Sequence, residues 1–178
     1  MRILNFTIKL IMTKILYLVR HAKASDSVSP DLIRPLVANG MIDAARMGRH
    51  LASKMQGIDQ ILTSHAERTQ MTAQVFCEQL GIDNQIVKVV EDLYESSPNH
   101  YLDALSEVSE NKDSVMIVGH NPSISYLAEY LTGEEIGSMP TCSVIGMTFE
   151  NLTWAEISKK TGHMFFYDSP DGILGVKV

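Results

Sequence analysis

The sequence predicts an α/β fold: a three-layer α/β/α sandwich around a mostly parallel sheet, with an antiparallel edge contributed by the C-terminal part. Three observations predict it. Short continuous apolar runs, "KILYLV" at 14–19 and "SVMIVG" at 114–119, have the unbroken pattern of strands covered on both faces. Amphipathic stretches separate such runs, and repeated strand and helix alternation favours parallel strands sandwiched by helices. In the last third the helical periodicity gives way to closely spaced strand-like segments.

Each element has its own signal. Lys14 to Val19 makes the first strand, and Ser, Asp and Pro mark the loop from Ala22 to Asn39. From Gly40, the positions Met41, Ala44, Ala45, Gly48, Leu51, Ala52 and Met55 recur three and four apart, as on the buried stripe of a helix that Gly57 stops. Ile58 to Thr63 reads as a second strand. Ser64 is a candidate N-cap for a helix with Thr72, Val75, Phe76 and Leu80 inward and Gly81 as its C-cap. Ile86 to Val90 reads as a third strand, and Pro98 to Val108 as a helix burying Leu102, Leu105 and Val108. The run from Ser114 ends at His120, and the next helix starts near Pro122, burying Ile124, Leu127, Ala128 and Leu131. Ser143 to Phe149 and Leu152 to Ile157 resemble a β-hairpin about Glu150 and Asn151, and Met164 to Tyr167 offers a further strand.

Composition narrows the function. A chain of 178 residues with 45% hydrophobic and 20% charged residues suits one globular domain, and no linker-like stretch divides it. The net charge of −6 gives no general attraction for nucleic acid or an anionic membrane surface. An anion site in such a chain must be a local concentration of positive charge. The two cysteines, Cys77 and Cys142, lack metal-type spacing, which fits a reduced, cytoplasmic protein.

In an open α/β sheet, ligands bind beyond the carboxyl ends of the strands. Arg20 and His21 follow the first strand, Ser64 to Arg68 the second, Asp92 to Ser96 the third, and Gly119 to Pro122 the fourth. Two histidines, two arginines and nearby carboxylates are what phosphoryl transfer through a phosphorylated histidine needs. Arginine forks orient and neutralise the equatorial oxygens, and a neutral imidazole supplies the nucleophile. A metal triad of the two histidines with Asp92 is disfavoured, because adjacent guanidinium groups repel a cation.

The stretch "LVRHAKAS" resembles the Arg-His-Gly signature of the histidine phosphatase superfamily, the phosphoglycerate mutase-like group, with Ala22 in place of the usual glycine. "TSHAERTQMTA" is similar to its second arginine motif and "VGHNP" to its second-histidine motif. Two departures are His65, where the family often has proline, and Met71, where it often has glutamine. "DLIRPLVANG" and the short chain are most similar to the SixA-type phosphohistidine phosphatases. The resemblance implies that His21 is the phosphorylated nucleophile, that Arg20 and Arg68 clamp the phosphoryl oxygens, and that His120 adds a hydrogen bond. It implies a proton donor among Glu91, Asp92 and Glu95, with Asp92 favoured by its place in the pattern. Ser64, Arg34 and Asn121 are candidate substrate-binding residues, with Arg34 equally able to pair with Asp31 or Asp43. No cofactor or metal is implied.

The short interval from Arg68 to His120 leaves little chain for a lid, and an uncovered site admits a phosphorylated side chain. The expected substrate is therefore phosphohistidine on a protein, such as a phosphocarrier or a histidine phosphotransfer domain. A small-molecule phosphomonoesterase acting on a phosphorylated metabolite is the alternative, and a non-catalytic phospho-binding domain is the second.

The apolar run in "MRILNFTIKLI", residues 1–11, is too short for a membrane span, and no small-residue cleavage site follows it. Met12 followed by "TKILYLVRH" reads as a natural beginning. Residues 1–11 are expected to be a non-native or disordered extension of a domain spanning 12–178. Mass spectrometry of protein made from the native gene should show a dominant species starting at or after Met12; one retaining Met1 or Arg2 would refute this.

Overall fold

Positions 14 to 19 are all buried, as a strand covered on both faces requires, and Thr13–Arg20 forms β1 in the computed structural model, which describes residues 12–175. The remaining strands are β2 (Gln60–Thr63), β3 (Val87–Val89), β4 (Ser114–Gly119), β5 (Val144–Glu150) and β6 (His163–Asp168). They form one sheet in the order β3-β2-β4-β1-β5-β6. The four strands from β3 to β1 are parallel, whereas β5 is antiparallel to β1 and to β6. The mostly parallel sheet with an antiparallel C-terminal edge is thus observed. The extension assigned to residues 1–11 lies outside the described residues.

Alternating side chains of β1 supply two cores. Leu16 and Leu18 pack with Tyr101 and Leu105 of α3 (Pro98–Ser106) and with Ile124, Leu127 and Leu131 of α4 (Ser123–Thr132). Ile15, Tyr17 and Val19 face Ala44, Met47 and Leu51 of α1 (Ala38–Leu51) and Ala73 and Phe76 of α2 (Glu67–Leu80). Helices therefore cover both faces. Each fully buried large aliphatic side chain contributes about 1.5–3 kcal/mol. Lys14, only 2% exposed, is tolerated in this frame because its Nζ donates to the carbonyls of Glu110 and Lys112 and to Asp113.

The structure corrects several of these elements. The first helix ends at Leu51 rather than continuing to Met55, its last turn tightening as Lys54 N donates to Leu51 O, and Met41 is exposed rather than inward. α2 begins three residues beyond Ser64, with Ala66 at the N-cap position and no side-chain cap. Leu152–Ile157 is not a strand. Instead, Trp154–Glu156 forms a 3₁₀ turn whose first residues are closed by a Thr153–Glu156 capping box, with Trp154 buried and its Nε1 donating to Lys112 O. β5 pairs with β6 in place of that segment, and α5 (Pro170–Ile173) packs on α1.

Gly119, the last residue of β4, lies where no Cβ fits: a Cβ there would come within 2.3 Å of the Tyr101 hydroxyl oxygen. That buried hydroxyl accepts the backbone N–H of His120 at 3.1 Å. Gly119→Ala should displace Tyr101 and cost about 1–3 kcal/mol through overpacking, read as a lower urea midpoint with an unchanged slope. It should also lower turnover by disturbing His120, whereas Gly81→Asn, at a left-handed C-cap remote from His120, should leave turnover near wild type.

Candidate active site

Parallel pairing of β1 with β4 sets Arg20 opposite Gly119, and the His21 backbone N–H donates to Gly119 O at 3.1 Å. The residues that follow, His21 and His120, therefore leave the sheet together, with ring centroids 5.2 Å apart. β2 lies on the other side of β4 and leads into α2, which presents Arg68 from its first turn.

The two imidazoles are held differently. His21 Nδ1 lies 2.8 Å from the Ala22 carbonyl oxygen. A carbonyl can only accept, so Nδ1 carries the proton and Nε2 keeps its lone pair. Burial pushes the His21 pKa down to about 4, and the charges of Arg68, Arg20 and Arg34 act in the same direction, against the Ala22 hydrogen bond. His120 is buried, its Nε2 lies 2.8 Å from Ser64 Oγ, and burial followed by repulsion from His21 and Arg68 lowers its pKa to about 3. Ser64 Oγ also accepts the Ala66 N–H and lies 2.8 Å from Thr69 Oγ1, which itself donates to Ala66 O at 2.7 Å. The small hydroxyl network fixes the ring of His120.

The cations have structural partners as well. Arg20 Nη1 donates to Met139 O at 2.6 Å, and its Nε is buried with no partner among the described residues, an uncompensated donor of the kind functional sites retain. Arg68, 6% exposed, gives Nη1 to Asp31 O and Nη2 to Asp31 Oδ2, both at 2.9 Å. Asp31 Oδ2 also accepts the Tyr94 hydroxyl at 2.7 Å, and Oδ1 accepts Arg34 Nη1 at 2.7 Å. Arg34 further contacts Asp26 and the Ser25 carbonyl. The Asp31 carboxyl is held well below the usual range by hydrogen bonds from Arg34, Tyr94 and Arg68 in that order, so it stays ionised.

These groups line an open cleft of about 540 Å³. Arg20, Lys23, Arg34 and Arg68 face it together with Asp26, Asp31 and Glu95, the two histidines, Tyr94, Asn121 and Thr141. Positive charge is therefore concentrated at the two histidines, as a tetrahedral anion requires, while the rim is of mixed sign.

The structure brings together Arg20, His21, Arg68 and His120, with Arg34 at the same cleft. The other candidates are placed differently. Ser64 does not line the cleft; it acts on His120 from behind. Asn121 does line it, but Nδ2 is committed to Ser138 Oγ and Met139 O, and Oδ1 to the Ser125 hydroxyl, so it is a wall rather than a free ligand. Asp92 is a correction: the 3₁₀ turn Glu91–Leu93 buries Leu93 and turns Asp92 into a separate shallow depression with His100, Asp103 and Glu107. Glu95 lines the cleft instead, at φ 48, a backbone conformation few non-glycine residues adopt. Sequence reasoning missed Asp31 and Tyr94 as parts of the site, although the Asp31 to Arg34 spacing carries the signal for one ion pair.

A profile of the histidine phosphatase superfamily (branch 1) matches residues 16–101. An uncharacterized protein of Mycobacterium leprae is 32% identical over 120 residues, 65% of this chain and 71% of that protein. Phosphohistidine phosphatase SixA of Escherichia coli is 28% identical over 142 residues, 75% of this chain and 84% of that protein. The structure of the protein histidine phosphatase SixA complexed with tungstate superimposes with a TM-score of 0.77 at 22% identity, over 89% of this chain and 99% of that one.

Both site histidines have folded-state pKa values below the ordinary 6.5. The unfolded chain therefore binds protons that the native state refuses. Stability fully present above pH about 6.5 is lost as pH falls towards about 4. Urea melts at pH 7 and pH 5 should show a smaller acid loss in the His21→Gln, His120→Gln double variant than in wild type, and the acid limb of kcat/KM should fall near pH 4 rather than 6.5. An unchanged acid loss in the double variant would contradict the buried neutral imidazoles.

Proposed function

The chain belongs to the histidine phosphatase superfamily and is a phosphatase; from that premise, we propose that it is a cytoplasmic enzyme that removes phosphoryl groups from phosphohistidine on proteins through a phosphorylated His21. One observation carries the mechanism. The Ala22 carbonyl fixes His21 as its Nδ1–H tautomer, which leaves a neutral, unprotonated Nε2 beside Arg20, Arg68 and His120.

Substrate phosphate sits between Arg20, Arg68 and His120, whose donors meet the negative charge on the equatorial oxygens. His21 Nε2 attacks phosphorus in line as the bond to the leaving nitrogen breaks. The leaving imidazole departs neutral when its other nitrogen already carries a proton. Water then attacks phospho-His21, releases phosphate and regenerates the free imidazole. The openness of the cleft and the likeness to the phosphohistidine phosphatase of Escherichia coli support a protein substrate. The buried free thiols of Cys77 and Cys142 support a reducing compartment.

The second reading, a small-molecule phosphomonoesterase, is favoured by one feature. An alkoxide leaving group needs an acid, and Glu95 is a carboxyl group on the cleft wall able to serve.

Rapid-quench trapping separates these readings. Wild type should yield an acid-labile phosphoenzyme with a phosphohistidine-bearing phosphocarrier, and His21→Ala none. Glu95→Gln should lower hydrolysis of sugar phosphates by about 100-fold or more if those are substrates, and leave phosphocarrier turnover within a few-fold. Asp92→Asn should leave both near wild type. A phosphocarrier that never labels His21, with sugar phosphates that do, would replace the first reading by the second. No label from any substrate would leave a phospho-binding domain.

A further inference from the structure

Asp31 is an acidic residue placed where an anion-binding site has least use for one. It sits on the cleft wall with its carboxylate between Arg34 and Arg68, and it takes the Tyr94 hydroxyl as well. If the cleft served only to attract phosphate, this negative charge would weaken it. The three donors fix the carboxylate in position, yet its side chain, on the wall of the cleft, remains 45% exposed. Asp92, the carboxylate expected here, points elsewhere.

We propose that Asp31 is a specificity-determining residue: a fixed carboxylate that selects substrates whose leaving group carries a positive charge, the protonated nitrogen of a phosphoramidate, over phosphate esters. The inference rests on the proposed phosphohistidine activity and names the residue that makes the cleft suited to it. Phosphohistidine protonated on its free ring nitrogen is an imidazolium. When the P–N bond breaks, its electron pair moves to the leaving nitrogen, the proton stays on the other nitrogen, and neutral imidazole departs as His21 Nε2 bonds to phosphorus. A nearby anion favours that protonated form. The leaving group thus brings its own proton. An ester brings none, and a carboxylate that remains ionised between two guanidinium groups cannot supply one to an alkoxide. Such a charge therefore discriminates by the sign of the leaving group. Tyr94 and Arg34 act as positioning residues by holding the carboxylate.

The test compares wild type with Asp31→Asn and Asp31→Glu in the full chain, using a phosphohistidine phosphocarrier, phosphoramidate and p-nitrophenyl phosphate. Asp31→Asn should lower the ratio of kcat/KM for the P–N compounds to that for p-nitrophenyl phosphate by about tenfold or more, whatever it does to the absolute rates, and Asp31→Glu should restore much of that ratio. A parallel loss on all three compounds would mean that Asp31 only positions Arg68 and would overturn the proposal. A parallel gain would mean that it merely competes with phosphate, and would overturn it equally. If wild type ignores the phosphocarrier but cleaves phosphoramidate, the protein-substrate reading fails while the phosphoramidate ratio still decides the role of Asp31. Should Asp31→Asn melt below assay temperature, Asp31→Ser gives the same ratio.

Discussion

The site depends on one constraint, the in-register parallel pairing of β1 with β4. Both strands are buried along almost their whole length, so neither can slide without moving an apolar set out of one of the two cores. The register that satisfies those cores sets Arg20 against Gly119 and ties His21 N to Gly119 O. Nothing local to "RHA" or "GHN" requires the two imidazoles to meet. They meet because the hydrophobic effect fixes strands whose last residues are polar. Gly119 completes the arrangement by leaving room for the Tyr101 hydroxyl, which holds the His120 backbone from below.

Charge is arranged by a different logic. A chain with net charge −6 gathers three arginines at one cleft and must keep them from repelling one another before substrate arrives. Arg68 and Arg34 share Asp31, and Arg20 leans on the Met139 carbonyl. Each guanidinium has five N–H donors, so the one to three structural bonds it makes orient the fork and still leave other donors open. The exposed ion pairs add little stability. Their effect is on orientation and on the local potential that a substrate meets.

Much of this was legible in the sequence, and the failures have physical causes. The fold follows from continuous apolar runs alternating with amphipathic helices, and the four central site residues follow from polar groups at strand and helix ends. Asp92 was misplaced because it shares a 3₁₀ turn with Glu91, where a change of one residue rotates a side chain by about a third of a circle, and because Glu95, beyond the turn, is the acidic candidate that lines the cleft. Ser64 looked like a cap because a hydroxyl after a strand often is one. Its oxygen instead bonds His120, a residue 56 positions away that no local pattern reveals. Leu152–Ile157 has strand-like composition, but Thr153 and Glu156 also carry the spacing of a capping box, and burial of Trp154 decided for the turn. Asp31 had a visible partner at i+3 in Arg34, whereas its bonds to Arg68 and Tyr94 depend on tertiary contact.

The difference between the partners of the two histidines matters chemically. A carbonyl oxygen can only accept, so Ala22 dictates one tautomer for neutral His21, with the lone pair on Nε2, and burial is what disfavours protonation there. A hydroxyl can accept or donate, so Ser64 can bond His120 Nε2 whether or not that nitrogen bears hydrogen. A nucleophile needs an unprotonated nitrogen whose lone pair is free to form the new bond. A group that stabilises a phosphoryl oxygen needs to present a proton on the nitrogen nearest it, and for His120 the nitrogen not engaged by Ser64 is Nδ1. With Ser64 donating to Nε2, His120 can carry that proton on Nδ1 while remaining neutral, as its depressed pKa favours in the absence of an anion. Two imidazoles in the same small space are thus suited to the opposite roles the proposed reaction asks of them, one as electron-pair donor and one as hydrogen-bond donor, by the single oxygen that each one faces.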